Sequence, residues 1–128
     1  MAYTSRVTTQ RNTLIETPFS INNIGLGDLF TGPQTETMFK QNIDFSDIEA
    51  LYIGGVGSNA AGQAYNIVLK FDTTTKATIT INAAGLYFIE QIDCSAVTGA
   101  HDLIIEINAA NALNANSYVQ LNMWGAIA

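Results

Sequence analysis

Over its last two thirds the chain repeats one pattern: short runs in which every second residue is apolar. Ile67, Leu69 and Phe71 alternate with Val68, Lys70 and Asp72. Ala77, Ile79 and Ile81 alternate with Thr78, Thr80 and Asn82. Leu103, Ile105 and Ile107 alternate with Ile104, Glu106 and Asn108, and Val119, Leu121 and Met123 with Gln120, Asn122 and Trp124. Successive side chains on a strand point to opposite faces, so this period places one row of each run in a core and the other outside. A helix repeats every 3.6 residues and cannot sort these residues that way. The pattern therefore predicts an all-β chain.

The punctuation between the runs agrees. Asp72-Thr-Thr-Thr-Lys76 joins two of them as a hairpin loop would, and Asn82-Ala-Ala-Gly85 joins the next two. A loop from Ser95 to His101 contains Gly99, and an Asn/Ala loop spans 108–116. Short strands joined by short loops point to an antiparallel β-sandwich, jelly-roll-like in character. Leu86 and Phe88 alternate with Tyr87 and Ile89, so that run is apolar on both faces. It is expected to be an interior strand, or to turn one face to a partner.

The first third is less regular. Residues 13–17 and 19–24 read as strands, and Gly25-Leu-Gly27 and Thr31-Gly-Pro33 interrupt them. Ser46-Asp-Ile-Glu49 has capping-box spacing and predicts one helical turn. We read residues 1–45 as an extended N-terminal arm with one or two edge strands, and 46–128 as the sandwich core of a single domain. The alternative is that residues 1–45 supply ordinary strands of the same sandwich.

Composition narrows the function. Five Lys and Arg stand against eleven Asp and Glu, for a net charge of −6. The five cations are scattered, whereas nucleic-acid binding needs them clustered, so no nucleic-acid partner is expected. One cysteine and one histidine exclude a disulfide framework within the chain and a two-histidine metal motif. No apolar run approaches the ~20 residues of a membrane helix, and the N-terminus has no apolar signal core, so synthesis in the cytoplasm without a signal peptide is expected.

Four constellations could carry chemistry. Gly55-Val-Gly57-Ser-Asn-Ala60 has dinucleotide-loop spacing after a strand. That motif needs a following helix, and none fits here, so a flexible Gly/Ala loop is the favoured reading. Cys94 and His101, with Asp102 beside the histidine, would make a nucleophile–base pair across a hairpin, against a plain buried cysteine. Asp44, Asp47 and Glu49 would contribute to a calcium site, or would be a solvated acidic stretch. Glu90 and Glu106, on strands read as neighbours, would be paired carboxylates only if a pocket held them at a set separation. None of these supports a catalytic, cofactor or metal site, and no enzyme is expected.

Tyr118 and Trp124 share the polar face of the last strand with Gln120 and Asn122. They would stack on sugar rings, form an interface patch, or pack beneath the N-terminal arm. Thr and Asn line several polar faces, and such groups can be buried against protein at lower cost than charges.

The segment Asp47-Ile-Glu-Ala-Leu-Tyr-Ile-Gly-Gly-Val-Gly57 resembles small β proteins of tailed-bacteriophage virions, of the head spike-base and capsid decoration kind. There too a strand and glycine turn precede a strand like 66–71, a Thr-rich strand like 76–82, an Ala-Gly turn like Ala84-Gly85, and an apolar strand like 86–92. The likeness covers about residues 47–93. This chain departs from it by an insertion at 58–63 and by its C-terminal ending. The resemblance implies no enzyme and no cofactor. It implies a virion structural protein that decorates or cements a capsid as a homo-oligomer, trimer or pentamer, with itself and a major capsid or other virion protein as partners. Tyr3, Phe19, Ile21 and Phe30 are the arm's candidate anchors, and Tyr118 and Trp124 the candidate interface aromatics. The alternative function is a carbohydrate-binding β-sandwich module.

Overall fold

The computed structural model describes residues 19–59 and 63–127, with side chains described within 25–126. Eight strands form: β1 (Phe19–Gly25), β2 (Gln34–Asp44), β3 (Ile48–Ser58), β4 (Tyr65–Phe71), β5 (Thr74–Ile81), β6 (Leu86–Asp93), β7 (Ala100–Ala109) and β8 (Tyr118–Ile127). They make two four-stranded sheets, ordered β1-β8-β3-β6 and β2-β7-β4-β5, and every pairing is antiparallel. β1 pairs with β8, β2 with β7, β3 with β6 and β4 with β5. That nesting is one long hairpin rolled up, the strand order of a jelly roll.

The alternating rows close on one another as their period demands. Leu51 and Ile53 of β3 and Val119, Leu121 and Met123 of β8 face Ile67, Leu69, Leu103, Ile105 and Ile107 of the other sheet, all fully or almost fully buried. Full burial of one such side chain contributes about 1.5–3 kcal/mol. Leu26, Phe30, Phe45, Cys94 and Leu113 enter the same core from the loops. The Phe45 and Phe71 rings meet at 4.6 Å, tilted by 42°.

Residues 19–44 belong to this sandwich. β1 and β2 are edge strands of opposite sheets, and Leu26, Phe30 and Ile43 are core residues. Residues 1–18 lie outside the described residues, and with them the strand expected at 13–17 and the anchor Tyr3.

Three local expectations need correction. No helical turn forms at Ser46: its N–H and hydroxyl both donate to Asp44 Oδ1, at 3.0 and 2.6 Å, and β3 begins at Ile48. The side chain that would cap a helix here closes a turn between strands. The glycines of the dinucleotide-like motif do not form a loop. Gly55 and Gly57 lie inside β3, while Ala60 lies outside the described residues. Finally, among the described residues β6 is an edge strand, so of the two readings of its doubly apolar run the interior one does not hold.

The two β3 glycines are required by packing. A Cβ on Gly55 would run into the Gln120 carbonyl oxygen and lie 2.7 Å from Leu121 Cα, both backbone atoms of β8. A Cβ on Gly57 would sit 2.7 Å from the Tyr65 hydroxyl and 2.8 Å from Ile81. The space above Gly57 lets Tyr65 cross the sandwich and donate to the Tyr118 carbonyl at 2.6 Å. Burial raises the Tyr65 phenol's pKa well above its ordinary value, so the hydroxyl stays a donor.

Candidate functional site

The outer faces of the two sheets differ in chemistry. On β2-β7-β4-β5 the exposed rows are linked across strands by polar contacts. Thr80 donates to Asn66 at 2.7 Å, Asn108 to Thr35 at 2.6 Å and Asn42 to Asp102 at 2.9 Å. Lys70 pairs with Glu106 at 3.0 Å and Lys40 with Asp102 at 3.9 Å. Surface pairs of this kind add little stability, but they tie several polar groups of this face to one another.

The outer face of β8-β3-β6 is built from three cross-strand rows. Trp124, Tyr52 and Gln91 form the first, Asn122, Gly54 and Ile89 the second, and Gln120, Val56 and Tyr87 the third. None of these nine residues is charged. Tyr52 and Trp124 stack at 5.7 Å with their planes 11° apart. Because Gly54 has no side chain, Trp124 and Ile89 both close over it, each 3.6 Å from where its Cβ would lie. Exposure stays high: 82% for Tyr87, 66% for Ile89 and 38% for Trp124. Single exposed apolar residues are ordinary, whereas a contiguous apolar patch marks an interaction surface.

A cavity of about 530 Å³ opens at the Tyr52 end of this face, lined by Glu49, Tyr52, Gln91, Asp93 and Ser95 among others. Asp93 Oδ1 accepts the Ser95 N–H at 2.9 Å, and the Ser95 hydroxyl first, then this N–H, hold the Asp93 carboxyl below its ordinary pKa.

The expected site residues separate. Trp124 and Tyr118 lie on this uncharged face as the alternation of β8 predicts, Trp124 exposed and Tyr118 half-buried beside Ser58. Phe30 is 0% exposed and offers no surface to a neighbour; this corrects its reading as a docking anchor. Phe19 and Ile21 lie in β1, registered on Met123 and Leu121, with their side chains outside the described residues. The sequence reading missed Tyr52, Val56, Tyr87 and Ile89 as face residues. The signal was the doubly apolar run at Leu86–Ile89, which met a solvent-facing row and not a second sheet.

Cys94 and His101 do not form a nucleophile–base pair. His101 Nδ1 contacts Asp72 Oδ2 at 2.7 Å and Nε2 contacts the Thr98 carbonyl at 2.8 Å. Carboxylate and carbonyl oxygens only accept, so this geometry suits the doubly protonated ring, and the contacts raise the His101 pKa. Both ring nitrogens are engaged by Asp72 and Thr98, so neither is hydrogen-bonded to Cys94. Cys94 is fully buried, directs Sγ at the Ile92 carbonyl, and burial raises its thiol pKa. The histidine's carboxylate partner is Asp72, in the β4–β5 turn, and not the adjacent Asp102. Asp72 adopts φ 56° and also accepts the Asp102 N–H at 2.9 Å, so it clips the hairpin to β7.

This clip predicts a titration. The Asp72 hydrogen bond, then the Thr98 carbonyl, raises the His101 pKa above 6.5, and the same bond to His101 lowers Asp72 below 3.8. His101 contributes fully below the unfolded value of 6.5 and loses its contribution as pH rises through the higher folded value. Asp72 contributes fully above 3.8 and loses its contribution as pH falls through the lower folded value. The clip is therefore complete between pH 3.8 and 6.5. NMR titration of the His101 ring is expected to give a pKa above 6.5, returning toward 6.5 in Asp72→Asn. An unchanged midpoint in that variant would contradict the clip.

The carboxylate readings also come apart. Among the described residues no group of three or more His, Cys, Asp or Glu is placed to hold a metal ion. Asp44 caps the turn through Ser46, while Asp47 and Glu49 are exposed. Glu90 and Glu106 are not neighbours, because β6 and β7 belong to different sheets.

No family model matches the chain, and no curated protein sequence matches it. It is similar to solved structures of infectious bursal disease virus. Against the VP2 subviral particle the identity is 21%, over 91% of this chain and 32% of that one, with a TM-score of 0.47. Against the Gt strain the identity is 19%, over 89% and 31%, with a TM-score of 0.44. Against the Gx strain it is 18%, over 86% and 32%, with a TM-score of 0.44. The chain spans about a third of the length of those chains.

Proposed function

We propose that this chain is a virion structural protein that decorates or cements a phage capsid surface as a homo-oligomer, a trimer or a pentamer, and acts by adhesion without a catalytic centre or cofactor. The observation that carries the reading is the contrast between the two outer faces. One links several of its polar and charged groups to one another within the chain, while the other presents uncharged rows with exposed aromatic and aliphatic side chains. A jelly roll is also a fold that capsid domains use, which is support by analogy. The likeness of residues 47–93 to phage head proteins points the same way.

Mass spectrometry of purified source virions is expected to find the chain at a copy number that matches capsid symmetry. Its absence from virions would overturn the reading. Docking through the arm is tested by removing residues 1–18. The cut stops before Phe19 because β1 is part of the first sheet, and a longer deletion would strip the edge of β8. The shortened chain is expected to keep its β circular dichroism and to lose capsid binding at least about tenfold. Full occupancy on heads would show that the arm takes no part.

A carbohydrate-binding module is the second reading, favoured by the Tyr52–Trp124 stack beside the cavity that holds Glu49, Gln91 and Asp93. Exposed aromatic faces next to carboxylate and amide groups suit sugar rings. Binding on a glycan array, abolished by Trp124→Ala, would establish it in place of the virion reading.

A further inference from the structure

Edge strands invite pairing with other chains, and among the described strands three of the four edges are disrupted. β1 has an extra residue between Ile21 and Ile24, because three steps on β1 span two on β8. β2 has one at Met38, between Thr37 and Phe39. β5 has one at Lys76, where Leu69 and Lys70 pair with Ala77 and Thr75. Such bulges twist an edge out of plane and interrupt its row of donors and acceptors. β6 has none: its eight residues pair with β3 in unbroken register from Leu86–Gly57 to Asp93–Ala50. It contains no Lys and no Pro, its charges are Glu90 and Asp93, and it carries the two most exposed large apolar side chains among the described residues, Tyr87 and Ile89.

We infer that a second copy of this chain docks antiparallel on the β6 edge, joining two first sheets across a twofold axis. Charge selects the occupant. Each copy has a net charge of −6, so identical copies repel wherever charged faces meet. Within the paired stretch Leu86–Glu90 the one charged residue of each copy is Glu90, so self-contact there brings little like charge together. Register selects the geometry. A twofold axis through Phe88 sets Tyr87 of each copy opposite Ile89 of the other, an aromatic–aliphatic cross-strand pair made twice. The same register sets Glu90 opposite Leu86, so the two Glu90 carboxylates do not face each other. The inference rests on the homo-oligomeric part of the proposed function and adds a twofold contact to it.

The test reads solution mass without any capsid, so its failure is separable from failure of the virion reading. Size-exclusion with light scattering is expected to show Ile89→Lys at half the mass of the unmodified chain. Tyr87→Glu is expected to do the same. Thr78→Lys, on the outer face of the other sheet, is expected to leave the mass unchanged. Each variant is checked for its β circular dichroism, since both β6 positions are exposed and tolerate a charge within the monomer. Register is read by mixing chains carrying Tyr87→Cys with chains carrying Ile89→Cys. The mixture is expected to oxidise to a linked pair more completely than either variant alone. A monomeric unmodified chain, or a mass that neither β6 variant reduces, overturns the inference.

Discussion

Phe30→Ala is expected to destabilise the fold by about 3–5 kcal/mol, the cost of emptying a large aromatic site in a packed core. For a domain of this size that corresponds to a fall in Tm of roughly 10–20 °C. Phe30 lies in the β1–β2 connection, yet it has no exposed surface. Its N–H donates to the Leu26 carbonyl at 2.9 Å, and its carbonyl accepts the Leu113 N–H at 2.9 Å. Leu26 in turn donates to Ser117 at 2.8 Å, so the loops after β1 and β7 close one end of the sandwich together. Truncating the ring leaves a cavity whose walls are held by these backbone bonds, and it cannot collapse fully. A docking anchor would behave in the opposite way: Tm would hold and only binding would fall. Thermal and denaturant unfolding of the isolated chain separate the two, and an unchanged Tm would restore Phe30 as a surface residue.

Gly55→Ala is expected to cost about 3 kcal/mol or more, although it adds one methyl group. The added carbon would meet the Gln120 carbonyl and Leu121 Cα, which are backbone atoms of a central strand and cannot rotate away. Gly57→Ala is expected to cost less, about 1–3 kcal/mol, because the Tyr65 hydroxyl and Ile81 can shift. That shift weakens the Tyr65 hydrogen bond to Tyr118. Gly54→Ala is the mildest of the three, since its nearest neighbour is the Phe88 carbonyl at 3.3 Å. Denaturant midpoints should fall in the order Gly54, Gly57, Gly55, with the slope of each transition unchanged. If these glycines cradled a phosphate, the three variants would keep their midpoints. Equal stability for Gly55→Ala would refute the close approach of β3 to β8.

Most strands could be read from the chain because burial of one row is a local constraint. Ile105 and Ile107 alternate with Glu106 and Asn108, and the core takes the apolar row whichever strand lies beside it. The face carrying Trp124 was legible for the same reason, since Val119, Leu121 and Met123 take the inside of β8. Period alone does not say what lies beyond the outer row. Tyr87 and Ile89 could equally have met another layer, and only the position of β6 at the sheet's end leaves them in solvent. Ser46 misled because a hydroxyl that caps a helix closes a strand turn with the same hydrogen bond. The Gly55/Gly57 spacing misled because a glycine needed for a tight turn and one needed for close strand contact read alike.

Strand identity, the inward row of most strands and the shortage of charge were settled by the linear order of residue types. Strand order was not. Consecutive strands change sheet at every connection except β4–β5, so Asn82–Gly85, expected to join two runs, crosses the sandwich instead of turning a hairpin. A loop of that length is compatible with either path. The choice is made by distant groups: Asn59 donates to the Ile81 carbonyl at 2.6 Å, and Gly85 donates to Ser58 at 3.1 Å. Local pattern decides which way a side chain faces, because that depends on the pleat of its own strand. Which strand stands next to it depends on packing contacts far apart in the chain, and those arise only in the folded molecule.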